Sequence, residues 1–312
     1  MSTPAPETIL HHYDGSPFAE KMRLIFGFKG LAWASVKIPV IMPKPDLVAL
    51  TGGYRKTPIV QQGADVYCDT ALIASLIDQQ HPTPTLFPAS APLAPVLAQW
   101  ADSTLFWTVI PYAMQPAGLA HRFKGAPPEL LKAFAADRAP FTAGMTRQTA
   151  ADATANLSGY LRMLNAQLAD GRAWLMGDEA SIADFSVAHC LWYLHSSGPL
   201  ADVLQAHPPL VAWLQRLLAL GHGRPTPMSS EQALAVSAGA TGPAPCQVAP
   251  GSGFEAGQAV RIMATDYGQD PVSGTLVGLS NDEVVVRRTD PRAGTVHVHF
   301  PRAGFQVKQE QS

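Results

Sequence analysis

Three places along the 312-residue chain put reactive side chains where a backbone element would present them. The first is Ser16-Pro17, which reads as a helix start. Serine is a natural N-cap, and proline suits the first helical position because its missing N–H costs nothing there. A hydroxyl at that point stands beside free N–H groups and roughly half a positive charge, so it can cap the helix or serve an anionic atom. The second is Lys56-Thr57-Pro58-Ile59 with Asp69-Thr70 shortly after, a strand followed by a second helix start that Asp69 or Thr70 caps. The third is His297-x-His299. Histidines at i and i+2 lie on one face of a strand and could bind a metal ion. No third ligand is in view, so no metal site is expected. Cys68, Cys190 and Cys246 are far apart and odd in number, which is neither a disulfide framework nor a metal-ligand spacing. Cys68 reads as a buried strand residue, Cys190 as helix core and Cys246 as an exposed thiol.

The elements that must position these residues follow from the apolar pattern. Ile9 to Tyr13 reads as a strand, and Phe18, Met22, Ile25 and Phe28 recur at helical spacing until Gly30. A short strand at 34–38 precedes a loop-like stretch from Pro43 to Gly53. Residues 57–60 and 65–68 form a hairpin around Gln62-Gly63, and Leu72, Ile73, Leu76 and Ile77 give the next helix its apolar face. Proline-rich 82–95 is a connection. Residues 93–220 are helical throughout, with Leu157, Leu161, Leu164 and Leu168 along one face. Ser181-Ile182-Ala183-Asp184 opens a helix as a capping box, a structural role worth about 1 kcal/mol. Gly, Pro, Ala and Ser dominate 223–253, which reads as a flexible linker. Five short strands then follow at 259–263, 274–278, 283–288, 295–300 and 305–307.

Composition narrows the class. Hydrophobic residues make up 47% and charged residues 15%, which describes a packed globular chain. A net charge of −2 points to neither nucleic acid nor an anionic membrane as partner. Met1 to Pro6 lacks an apolar core of a signal peptide, and no apolar run reaches the ~18 residues of a membrane span. A reducing, cytoplasmic location is expected.

Residues 8–220 resemble the cytosolic glutathione transferases in three places. Ser16 to Leu24 (SPFAEKMRL) looks like the start of the first helix in the omega-like branch, with serine where that branch usually has cysteine. Thr57-Pro58-Ile59-Val60 and Tyr67-Cys68-Asp69-Thr70 are similar to the cis-proline strand and the acidic-residue/serine pair. Trp174 to Asp178 and Ser181 to Phe185 look like the helix-capping segment of the second domain. The resemblance implies an α/β thioredoxin-like domain at 7–83 and an all-α helical domain at 91–222. It implies glutathione as co-substrate, with Ser16 at the thiol and Phe18 beside it. Thr57-Pro58 would be cis and turn the Ile59 backbone toward the cysteinyl unit. Asp69 and Thr70 would hold the γ-glutamyl end and Lys56 the glycyl carboxylate. A small hydrophobic electrophile would sit between the domains against Trp107 and Tyr112, and the protein would be a homodimer.

The implied reaction needs a thiolate, whereas a free thiol has a pKa of ~8.5. The Ser16 hydroxyl and the helix N-terminus behind it could both lower that value. A cysteine at this position would form mixed disulfides. Serine cannot, which favours conjugation or isomerisation over thiol reduction. A non-catalytic scaffold is the alternative from another class, with the tail recruiting a protein partner. The tail itself, 254–308, has balanced acidic and basic side chains and a strand count that suggests a small all-β, SH3-like barrel.

Overall fold

The computed structural model describes residues 7–310; the signal-peptide expectation for Met1–Pro6 lies outside them. The first half alternates as its apolar pattern requires: β1 (Ile9–His12), α1 (Pro17–Phe28), β2 (Ala32–Lys37), α2 (Pro45–Thr51), β3 (Ile59–Gln62), β4 (Asp65–Cys68) and α3 (Thr70–Gln80). Strand β1 runs parallel to β2 and antiparallel to β3, which hairpins into β4. Successive side chains on a strand point to opposite faces. Leu10 and Val60 therefore join one core with α1 and α3, while Ile9 and Ile59 join another on the far side.

The helical half packs on the first of these cores. It comprises α4 (Ala94–Trp100), a π-helical turn at Ala101–Leu105, α5 (Phe106–Ala113), α6 (Pro116–Arg122), α7 (Pro128–Arg138), α8 (Ala150–Gln167), α9 (Ile182–His195) and α10 (Pro208–Leu218). Nearly every residue of α9 is buried, so this helix is the axis of the domain. No helix among the described residues is long and apolar enough to cross a membrane.

The stretch 223–253 carries two elements where the sequence reads as a flexible linker. β5 (Arg224–Met228) adds in parallel to β2, and α11 (Ser230–Ala238) packs beside α2. In β5, Pro225 and Pro227 occupy every second position, a pattern an edge strand tolerates because half its N–H groups face outward. A capping box between Ser229 and Gln232 starts α11.

The tail folds as β6 (Ala259–Ala264), β7 (Val272–Leu279), β8 (Glu283–Asp290), β9 (Gly294–Pro301) and β10 (Phe305–Gln309), all within two residues of the expected strands. It is continuous with the first domain. β9 pairs in parallel with β4, giving one ten-stranded sheet in the order β10-β6-β7-β8-β9-β4-β3-β1-β2-β5. Val260, Ile262, Val286 and Phe300 share the second core with Leu47, Leu50 and Val66. Arg288 reaches from β8 to the Ala49 carbonyl at 3.1 Å, a cation at the C-terminal end of α2.

Candidate functional site

Ser16 sits where β1 turns into α1, and Arg23 fixes that turn. The Arg23 guanidinium donates to the carbonyls of Tyr13 at 3.4 Å and Asp14 at 2.9 Å, and its Nε donates to Glu20 at 2.9 Å. The Ser16 hydroxyl accepts from the Ala19 N–H at 3.2 Å, the N-cap bond, and donates to the Thr57 carbonyl at 3.5 Å. That second bond is long, so little is lost when the hydroxyl turns to another acceptor. The Thr57–Pro58 peptide bond is cis, as the resemblance implies.

Ser16 and Thr57 border a cavity of about 1060 Å³ between the two halves of the chain. One wall is apolar, formed by Phe18, Phe106, Trp107, Ile110, Met114 and Phe134. The other is cationic, with Lys44, Arg55 and Arg138. Arg55 and Arg138 are held by a shared partner, Asp137, which Arg55 meets at 2.8 Å. Lys44 lies 3.4 Å from the Thr57 hydroxyl. Burial, with the nearby Arg138 charge, pulls its ammonium down to about 8.

The residues expected at the site divide between this cavity and its surroundings. Ser16, Phe18, Lys56, Thr57 and Trp107 line it. Pro58 and Ile59 do not: both are buried, and the Ile59 backbone expected at the cysteinyl unit lies between His11 of β1 and Cys68 of β4, which leaves Thr57 as the residue of that strand segment at the cavity. Lys56 is not free for a carboxylate, because its ammonium bonds Asp266 at 2.8 Å and lies 3.9 Å above the Tyr267 ring. Tyr112 points elsewhere and donates to the Leu200 carbonyl at 3.4 Å. Cys68 and Cys190 are buried, and Cys246 is half-buried rather than exposed.

Asp69 and Thr70 start α3 outside the cavity lining. Asp69 has φ +75°, the single non-glycine residue with positive φ among the described residues, and its carboxylate caps the Ala71 N–H at 2.8 Å. Thr70 is tied to a charged network that sequence reasoning missed. Lys21, fully buried on α1, donates to the Thr70 hydroxyl at 3.2 Å and to Asp102 at 2.6 Å. Asp102 lies in the π-helical turn and also meets His189 of α9 at 2.9 Å. Burial alone would raise the Asp102 carboxyl, but Lys21 and His189 outweigh it and hold it at about 2. Burial keeps His189 below its ordinary value, although the Asp102 carboxylate beside it pulls the other way.

The tail also reaches this place. The loop between β6 and β7 brings Tyr267 against Trp107 at 5.0 Å and Phe106 at 6.2 Å between ring centroids, and the Gly268 N–H donates to the Phe141 carbonyl at 2.9 Å. Burial, with the charges of Asp266 and Asp69, pushes the Tyr267 phenol well above its ordinary value. A tyrosine in a turn between two tail strands carries no local signal of this contact, and neither does Lys44 in a proline-flanked loop.

A thioredoxin-like sheet, a helical domain built on one buried helix, and a cis-proline facing a serine helix cap together define the glutathione-transferase fold. Comparison with known proteins agrees. Residues 10–85 match the glutathione S-transferase N-terminal domain and residues 147–216 the C-terminal domain. The structure of a GST-like protein from Pseudomonas syringae is similar over 98% of this chain and 100% of its own, at 40% identity and a TM-score of 0.81. The chain therefore belongs to the glutathione S-transferase family. The transferase GSTFuA3 from Phanerochaete chrysosporium (19% identity, 69% of this chain and 98% of its own, TM-score 0.55) shares the fold. So does a transferase from Rhodospirillum rubrum (21%, 67% and 87%, 0.51). No curated protein matches the sequence.

Proposed function

We propose that the protein conjugates the glutathione thiolate to a small hydrophobic electrophile in the cavity between its halves. The observation that carries this reading is Ser16: a helix-capping hydroxyl, loosely held by Thr57, at the border of a cavity with one cationic and one apolar wall. Glutathione is a peptide with two carboxylates, and the residues present suit it. Thr57 offers a backbone edge to the cysteinyl unit. Lys44, rather than the engaged Lys56, stands free to meet the glycyl carboxylate. Asp69 and Thr70, at the α3 start beyond the cavity lining, are assigned to the γ-glutamyl end, Thr70 through its backbone N–H because its hydroxyl accepts from Lys21.

In this reading the Ser16 hydroxyl turns from the Thr57 carbonyl to the sulfur, and the α1 N-terminus adds its partial positive charge. Both favour the thiolate over the thiol. The electrophile packs against Phe106 and Trp107, where burial of its apolar surface supplies binding. Serine forms no mixed disulfide, so the same site does not support thiol exchange.

Glutathione conjugation to a panel of hydrophobic electrophiles tests the assignment. Ser16→Ala is expected to lower kcat/KM about 10–100-fold, the loss of one hydrogen bond to a charged atom at ~1.5–3 kcal/mol. Tyr267→Ala is expected to raise KM for the electrophile about 2–10-fold with kcat little changed, matching ~0.5–1.5 kcal/mol for a lost aromatic contact. An unaltered Ser16→Ala enzyme would reject the role of that hydroxyl. The tail's strand order, with β10 returning to β6 beside a β6–β9 meander, supports an SH3-like module. The family's homodimer has exposed apolar side chains to bury in Leu93, Val96 and Met163, and sedimentation should show a mass of two chains.

A further inference from the structure

We infer that the seam between the tail and β4 is a binding site for one divalent transition-metal ion of the Zn²⁺ type, held by Cys246, His297, His299 and Asp65. The sequence shows only the two histidines; the fold supplies the rest. Parallel pairing of β4 with β9 sets Asp65 opposite His297 and Tyr67 opposite His299. The chain after α11 then returns past this seam, where the Ala244 N–H donates to Asp65 Oδ2 at 2.9 Å and Cys246 comes alongside.

The ligand atoms converge. One donor atom each from Cys246, His297 and His299 lies within 4.8 Å of the others, the one such trio of metal-ligating residues found among the described residues. Cys246 Sγ is 3.8 Å from His297 Nδ1. Asp65 Oδ1 is 3.0 Å from His299 Nε2 and 3.9 Å from His297 Nδ1. A tetrahedral ion with bonds of ~2.0 Å to nitrogen or oxygen and ~2.3 Å to sulfur needs ligand atoms about 3.3–3.7 Å apart. The observed separations bracket that span, so small side-chain adjustments close the shell. A mixed set of one thiolate, two imidazoles and one carboxylate suits Zn²⁺ among the divalent ions and balances its charge.

The outer shell has the form that such ions use. His299 bonds a carboxylate through each ring nitrogen, Nδ1 to Glu283 at 3.2 Å and Nε2 to Asp65 at 3.0 Å; an ion in the cluster takes the place of the Nε2 proton, while Glu283 keeps the other proton on Nδ1. The Tyr67 ring stacks on His299 at 4.3 Å between centroids and holds the imidazole plane. An ion here ties together β4, β9 and the segment after α11, three parts of the chain that meet only in the folded protein.

The full-length chain, stripped with a chelator, is titrated with Co²⁺ and then Zn²⁺. The expected result is one ion per chain, a tetrahedral Co²⁺ visible spectrum with a thiolate charge-transfer band, and displacement of both by Zn²⁺. Cys246→Ser should abolish the charge-transfer band, and Glu283→Gln should weaken Kd about 10–100-fold, the usual cost of losing an outer-shell partner. The wild-type chain gives a readout that needs no variant. Cys68 and Cys190 are buried, so iodoacetamide should alkylate Cys246 in the stripped protein and not in the Zn²⁺-loaded one. Absence of Co²⁺ binding, alkylation of Cys246 unaffected by Zn²⁺, or a charge-transfer band that survives Cys246→Ser would each overturn the inference.

Discussion

Asp184→Ala should lower the stability of the protein by about 3–5 kcal/mol, several times the loss of an ordinary helix cap. The capping box explains only half of what this carboxylate does. Asp184 Oδ2 accepts from the Ser181 N–H at 2.9 Å and from the Ser181 hydroxyl at 3.0 Å. Oδ1 accepts from the Leu175 N–H at 2.8 Å and from the Trp213 indole at 2.9 Å. Asp184, Ser181 and Trp213 are all buried. Alanine therefore strands several buried donors at once, each costing ~1–3 kcal/mol when left without an acceptor. Burial raises the Asp184 carboxyl, and the four donors offset that cost only in part. Urea unfolding of the variant checks the figure. A loss near 1 kcal/mol would mean that water or rearrangement satisfies the stranded groups and that the residue is only a cap.

Lys21→Met should also destabilise, by about 2–3 kcal/mol at neutral pH, because it removes the buried cation of an ion pair; the Asp102 carboxylate left behind is 20% exposed and keeps its bond to His189, so the loss falls below that of a fully buried pair. Methionine keeps most of the volume, so lost charge dominates over lost packing. The pH dependence carries the signature. Asp102 is held at about 2, below its unfolded value of ~3.9. A depressed carboxyl contributes its full stability above the unfolded value and loses it as pH falls through the folded one. The deficit of Lys21→Met relative to the wild type should therefore shrink as pH drops from about 4 toward about 2. Unfolding midpoints across that window read it directly, and a deficit independent of pH would remove the ion pair as its cause.

These two residues mark how far the sequence is legible. Ser181 and Asp184 stand at capping-box spacing, so their role is local and readable. Trp213 and Leu175 complete it from other elements, and no spacing announces them. Ser16-Pro17 and Thr57-Pro58 are likewise local signatures, and they mark the cavity border. Lys21 sits in a helix whose periodicity is apolar around it; a lysine on such a face reads as solvated until Asp102 and Thr70 are brought to it. Position in the chain suggests Lys56, Ile59 and Tyr112 but not their neighbours: in the fold Lys56 lines the cavity while bonded to Asp266, Ile59 lies within the sheet, and Tyr112 bonds Leu200. The stretch 223–253 shows the opposite limit. Its composition suits a linker, and its order comes from the open edge of β2 and the apolar side of α2, which only the folded chain offers.

The tail strands were visible as strands but not as an extension of the first sheet. Parallel pairing of β9 with β4 joins segments far apart in the chain and leaves no pattern in either alone. Its consequence reaches the candidate site, because the same tail delivers Tyr267 to the cavity and His297 and His299 to the seam.

The decisive quantity is the pKa of the glutathione thiol when bound. Titrating the ultraviolet absorbance of the thiolate in the complex gives its pKa without a second substrate. Roughly 6.5–7.5 is expected for the wild type, against ~8.5 for the free thiol, with a return toward the free value in Ser16→Ala. Failure of glutathione to bind, or a bound thiol titrating as it does in water, would contradict the thiolate-stabilising role of Ser16 and leave the cavity to a different ligand.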